Sequence, residues 1–293
     1  MAKNTALGNA QKKRDDEYYT RYDDVENEMK HYNFEGRIVY CNCDSYIFSR
    51  FVHYFKTNFT KLHLKGLVAT CYCEGGRGIF YEYESDGSER IIQLEGDGSF
   101  NSTECLNVLQ QVDVVVTNPP FSLFRELIDL LVEYNKEYII LGHIASVTYK
   151  NIFYYLYTQR LWLGVDNYRS FTFDTPSGKP KKIPVLWLTN MEHGCKPPFI
   201  ELTERYVEGK YAKYDNYDAI DVPKVSQIPI DYDGVMGVPS TFLKQYNSDQ
   251  FVIVGWSRRN NLGMDGGLWT GGATDAEING KAVFRRILIR HNR

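Results

Sequence analysis

Val112-Asp113-Val114-Val115-Val116-Thr117-Asn118-Pro119-Pro120-Phe121 decides the architecture. Residues 112–117 are mostly β-branched and lack the alternation of a half-exposed strand, as a central strand covered on both faces requires. The run then stops at two prolines. Proline fixes φ and has no N–H, so Asn118 and the Pro119 carbonyl are presented as acceptors at a rigid strand end. Working outward, Leu123 to Tyr134 reads as a helix and Tyr138-Ile139-Ile140-Leu141 as the next strand. Upstream, Asp16 to Tyr32 carries Tyr18, Tyr22, Val25 and Met29 at helical spacing; Arg37 to Cys41 reads as a strand, Ile47 to Phe55 as a helix and Leu64 to Tyr72 as a second strand. Two alternating segments between Ile79 and Leu94 flank Ser85-Asp86-Gly87-Ser88, the pattern of a β-hairpin. Strands alternating with helices over short connections predict an open, mostly parallel α/β sheet, Rossmann-like, with its ligand sites beyond the carboxyl ends of the strands. The segments 161–165, 170–173 and 185–189 have no clear helices between them, so the last part of the sheet is expected to be antiparallel.

The chain has 293 residues with 43% hydrophobic and 24% charged content, which excludes a disordered tail and a mini-protein. No stretch approaches the roughly 18 apolar residues of a membrane span, and the start lacks the apolar core of a secretion signal, so a cytoplasmic address is expected. Six cysteines are too few for a disulfide scaffold. Cys41-x-Cys43 and Cys71-x-Cys73 fall at strand ends, where small thiols pack well and the spacing differs from that of a zinc site; no metal is expected. The net charge of −3 hides two basic ends, residues 1–14 and 281–293, which contain no acid. All ten prolines lie from Pro119 to Pro239. Gly194-Cys195-Lys196-Pro197-Pro198 is the expected boundary, dividing the chain into a catalytic domain, 1–195, and a C-terminal region, 196–293.

Asn-Pro-Pro-Phe at a strand end suits an amino group bound to an aromatic ring. Such an amine is a poor nucleophile because its lone pair is delocalised; acceptors on its two hydrogens favour the pyramidal geometry that frees the pair. Phe121 would stack the ring. An ordinary Asn-Pro turn has the same residues, and the buried strand before it separates the two readings. This motif, with Gly96-Asp97-Gly98-Ser99-Phe100, Val114 to Arg125, Lys213 to Ile220 and Gly234 to Pro239, resembles the EcoRI-type adenine-specific DNA methyltransferases over most of the chain.

The resemblance implies a class I methyltransferase sheet and a C-terminal target-recognition region. It implies S-adenosylmethionine as cofactor, and transfer of its methyl group to N6 of an adenine flipped out of double-stranded DNA, in restriction-modification or in host or phage DNA protection. Asn118, Pro119, Pro120 and Phe121 would be catalytic. Tyr19 and Thr20 would meet the methionine end of the cofactor, Cys41, Asn42 and Asp44 the loop after the first strand, and Asp97 and Phe100 its adenine. That first loop lacks the family's usual glycine. Asp97-Gly98 also reads as a plain turn, and Phe171 or Phe173 as either a lid on the base or core. Arg258, Arg259, Arg285, Arg286 and Arg290 are available for DNA, with solvation of the last strand as the plain alternative. A cognate restriction endonuclease would act on the same site without a stable complex. The motif alone equally fits an RNA or protein amide N-methyltransferase.

Overall fold

The computed structural model describes residues 19–167, 169–174, 179–257 and 275–293. They form two compact units, one reaching to Ser146 and continuing over Leu161–Gly194, the other made of Val147–Arg160 and the chain from Cys195. In chain order the first unit contains α1 (Tyr22–Met29), β1 (Ile38–Cys41), α2 (Arg50–Thr57), β2 (Gly66–Cys71), β3 (Ile79–Tyr83) and β4 (Glu89–Gln93). It continues with α3 (Thr103–Gln111), β5 (Val114–Thr117), α4 (Phe124–Glu133), β6 (Glu137–His143), β7 (Trp162–Leu163), β8 (Arg169–Phe173) and β9 (Lys181–Thr189). The second contains α5 (Lys150–Tyr157), β10 (Ala219–Asp221), β11 (Val235–Val238), β12 (Phe251–Trp256), β13 (Glu277–Ile278), β14 (Lys281–Ala282) and β15 (Ile287–His291). No helix of the described residues is long and apolar enough to cross a membrane.

The sheet of the first unit runs β4-β3-β2-β1-β5-β6-β9-β7, with β8 also on β9. The four central strands, β2-β1-β5-β6, are parallel, and everything outside them is antiparallel. A parallel centre with antiparallel strands on both sides is the Rossmann-like architecture expected, with the last strands antiparallel as the sequence predicts. All four residues of β5 are buried. The pleat sends alternate residues to opposite faces: Val39, Cys41, Leu67, Ala69, Val114, Val116, Ile139 and Leu141 share one core with α1 and α2. The other face carries Tyr138 and Ile140, which are fully buried as well. A strand so covered has to be apolar at every position, which is why the run at 112–117 shows no alternation.

Boundaries shift where a cap decides them. The helix expected from Ile47 begins at Arg50, because Ser49 caps it by accepting from the amides of Phe51 and Val52. Ile47 and Phe48 are left exposed. The hairpin extends the sheet edge, and Gly87 takes a left-handed φ of +84° at its turn. Two helices, α3 and α5, are additions to the sequence reading. The Ser102 hydroxyl accepts from the Cys105 amide to start α3.

The second unit, whose sequence shows little regularity, has a four-stranded sheet, β10-β11-β15-β12. Its strands are short, three to six residues, too brief for a clear period.

Gly142 on β6 marks where α4 seats on the sheet. A Cβ there would stand 2.4 Å from Cε2 of Phe124, the first residue of α4 and only 1% exposed. Gly142→Ala is therefore expected to overpack this contact and cost about 1–3 kcal/mol. Urea unfolding should show a lower midpoint at unchanged slope; an unaltered midpoint would mean that α4 can shift off β6 without penalty.

Candidate active site

From β1 the sheet grows in two directions, to β2 on one side and to β5 on the other. Such a reversal of strand order opens a crevice at the carboxyl ends of the two strands that flank it. The residues after β1 and those after β5 meet there at one carboxylate. Asp44 Oδ2 accepts from the Thr117 hydroxyl at 2.5 Å, Oδ1 accepts from the Ser49 hydroxyl at 2.7 Å, and the Asn118 amide also donates to the carboxylate. Burial pushes the carboxyl of Asp44 up to about 6, against the lowering effect of those three donors. Ser49 thus joins the helix cap to the carboxylate. Cys41 and Cys43 are held well above the usual thiol range, first by burial and next by the nearby Asp44, so both are neutral near pH 7. The described residues contain no group of three or more histidine, cysteine, aspartate or glutamate side chains suited to a metal.

Beyond Thr117, Asn118 is partly exposed and Pro119 buried. The Pro120 carbonyl accepts from the Leu123 amide at 2.9 Å, turning the chain into α4. Phe121 packs its partly buried ring against the core and meets His143 edge-on, with centroids 6.0 Å apart and planes at 64°. His143 Nδ1 accepts from the Ala145 amide, so its neutral form carries the proton on Nε2. Phe171 and Phe173 are 2% and 0% exposed and belong to the core beside Trp187; in this structure they pack rather than cover a ring.

Tyr19 exchanges backbone hydrogen bonds with Asp174, just past β8. The register pairs His143, the last residue of β6, with Val185, and Phe173 with Lys181, so this end of β8 and β9 projects past β6 on the carboxyl side. Thr20 beside it is 5% exposed, and its hydroxyl has no hydrogen-bond partner among the described residues. An orphaned buried hydroxyl costs roughly 1–3 kcal/mol unless a ligand satisfies it. Buried Glu28 holds the neighbouring turn: it accepts from Tyr32, from the Val165 amide at 2.9 Å and from the Asp166 amide at 2.7 Å. Burial raises its pKa against those donors.

Cys41 ends β1 fully buried, and Asn42 after it is 3% exposed. Asp97 Oδ1 accepts from the Ser99 amide at 2.9 Å and its carbonyl from the Cys73 amide at 2.8 Å, so it does form the turn. Gly98 has φ +78°, and a Cβ there would lie 2.5 Å from the Cys71 carbonyl, which seats this loop on the carboxyl end of β2. Phe100 is 5% exposed. Loops at the ends of three adjacent strands, β2, β1 and β5, therefore lie on one side of the sheet. Sequence reasoning did not single out Ser49, Thr117 or Glu28; only the serine before an apolar helix pattern carried a local signal.

In the second unit Arg285 and Arg290 are exposed. Arg258 and Arg259 lie outside the described residues. Arg286, a candidate for DNA contact, is part-buried and engaged within the unit. Its Nε donates to Asp221 Oδ1 at 2.9 Å, the oxygen that also accepts from the Tyr214 hydroxyl at 2.6 Å, and the Arg286 and Asp221 side chains are 18% and 15% exposed. That arginine braces β10 against β15.

The family described as Adenine-specific methyltransferase EcoRI matches residues 6–292. The chain is 38% identical to Type II methyltransferase M.EcoRI of Escherichia coli, with 100% of this chain and 98% of the relative covered. It is 35% identical to M.MgeORF184P of Mycoplasma genitalium, covering 96% and 97%, and 38% identical to M.MpnI of Mycoplasma pneumoniae, covering 84% and 83%. No solved structure matches. With a parallel sheet, an Asn-Pro-Pro-Phe strand end at its switch point and likeness along the whole length, this chain belongs to the EcoRI family of adenine-specific methyltransferases.

Proposed function

We propose that the enzyme methylates N6 of an adenine flipped out of double-stranded DNA at a specific sequence, using S-adenosylmethionine. The observation that carries this reading is the meeting of the Asp44 loop with Asn118 at the carboxyl ends of β1 and β5. A stacked base cannot bring its amino group to such a crevice, so it has to leave the duplex. The Asn118 side chain and the Pro119 carbonyl accept from the two amine hydrogens, and Phe121 stacks the ring. Holding the amine in line replaces a bimolecular encounter by a positioned one.

The residues present fit the cofactor. The buried Thr20 hydroxyl, without a partner among the described residues, is a polar group a ligand would satisfy, and Tyr19 lies next to it. Cys41, Asn42 and Asp44 form the floor at β1, while Asp97 and Phe100 supply an acceptor and a ring at β2. When bound, S-adenosylmethionine supplies an electrophilic methyl group on a sulfonium. The chain's part is to seat that group, exclude water and fix the amine.

In the proposed division, 1–195 is catalytic and 196–293 recognises the target. Arg285 and Arg290 contact phosphate or base, together with Arg258 and Arg259. The enzyme is cytoplasmic, and a cognate endonuclease meets the same DNA site separately.

Asn118→Ala is expected to lower turnover at least 100-fold, a loss of about 2.7 kcal/mol or more, with cofactor binding retained. Labelled S-adenosylmethionine and unmethylated genomic DNA, followed by nucleoside analysis, is the direct test. Label in N6-methyladenine at one short motif is the expected result. Label in RNA or protein alone would overturn the choice of DNA. Arg285→Ala and Arg290→Ala should each weaken DNA binding and reduce the salt slope by about 1. Arg286→Ala should mainly lower thermal stability.

A further inference from the structure

We propose that Asp44 is a positioning residue for the target amine: its carboxylate holds the Asn118 backbone in register with the loop after β1. The inference rests on Asn118 receiving that amine. A cofactor contact alone would leave the Asp44 oxygens turned toward the crevice. Instead both oxygens already accept from the protein, Oδ2 from Thr117 and Oδ1 from Ser49, and the Asn118 amide adds a third donor. Two of these donors are Thr117 and Asn118, the last residue of β5 and the first beyond it. The third belongs to the cap of α2. Asp44 is buried, 9% exposed as a residue, too enclosed for water to replace these bonds freely.

A reason for a charged acceptor follows from the donors. Hydroxyls of Thr117 and Ser49 can reverse their roles, but a backbone N–H only donates. Pro119 and Pro120 cannot donate at all, so the Asn118 amide is the last backbone donor before the proline pair. An amide side chain at position 44 would keep one oxygen and turn an NH₂ toward the other donor. The shape would be retained and the anchor weakened.

The titratable groups coupled to it among the described residues do not compete for the proton near pH 7: Cys41 and Cys43 are neutral there, and its hydrogen-bond donors are the hydroxyls of Thr117 and Ser49 and the Asn118 amide. Asp44 ionises at about 6 in the folded protein, above its ordinary carboxylate value. The sign separates two readouts. Because the folded value is raised, this group's contribution to stability is full below the unfolded pKa and is lost as pH rises through about 6. The anchor needs the charge, so turnover runs the opposite way and falls as pH drops through about 6.

The test uses the full-length enzyme with Asp44→Asn, Thr117→Val and the double variant. Expected are a 10- to 100-fold loss of kcat for Asp44→Asn, a cofactor Kd within threefold of wild type, and loss of the acid limb of the kcat profile. Thr117→Val should lower kcat less, and the double variant should be no worse than Asp44→Asn. Wild-type kcat in a folded Asp44→Asn overturns the proposal. So does a defect confined to cofactor Kd, which would make Asp44 a cofactor contact only. Should Asp44→Asn fail to fold, Thr117→Val decides, since wild-type kcat there removes the link from Asp44 to the Asn118 loop. Asn118→Ala keeps the two ideas apart: if it methylates normally, the reading of the site fails first, whatever Asp44 does.

Discussion

A strand buried on both faces must stop where its next residues can no longer join the ladder, and Pro119-Pro120 impose that stop on β5. The ladder with β6 runs from Val114 to Thr117 and ends there. Because β1 lies beside β5 in parallel, their carboxyl ends open on the same side. The polar groups released by the stop would be costly in a buried place, and the Asp44 carboxylate is what receives them. The crevice, the orientation of Asn118 and the start of α4 all follow from this one termination.

Among its described residues the first unit holds two buried carboxylates in the same way. Glu28 and Asp44 are each satisfied by backbone amides and hydroxyls rather than by a cation. In both, burial raises the pKa more than the donors lower it, so the buried site opposes ionisation of each. Each also joins segments far apart in sequence, Glu28 to the turn at 164–166 and Asp44 to the end of β5. Directional acceptors fix a backbone position where apolar packing would tolerate sliding. A site that must place an amine within tenths of an ångström benefits from that directionality.

The long motifs near the C-terminus turn out to be structural in large part. Tyr214 crosses over Gly237, where a Cβ would stand 2.3 Å from its hydroxyl, and reaches Asp221. Asn216 accepts from the Glu277 amide and donates to the Asp275 carbonyl, tying the chain after 274 to the loop before β10. Lys213 to Ile220 and Gly234 to Pro239 are thus bound together through the parallel pair β10-β11. Arg286 joins this network through Asp221.

What was legible in the sequence was whatever a local rule writes into adjacent residues. The unbroken apolar run at β5, the proline stop after it, the Asp86-Gly87 turn of the hairpin and the helical spacing of α1 and α4 each depend on neighbours in the chain, so they can be read there. The boundary of α2 required its serine cap, and the second unit's strands were too short to show a period. Which strands neighbour one another is a property of the sheet alone, and so are the pairings that follow from it. Asp44 and Thr117 are 73 positions apart, and Arg286 and Asp221 65. Nothing local distinguishes Arg286 from Arg285, yet one is braced inside and the other faces solvent. The sequence by itself determined a parallel α/β sheet with an acceptor-bearing strand end. Only the tertiary structure decided which buried carboxylate anchors that end, because the hydrogen-bond partners of a charge are chosen by packing rather than by order along the chain.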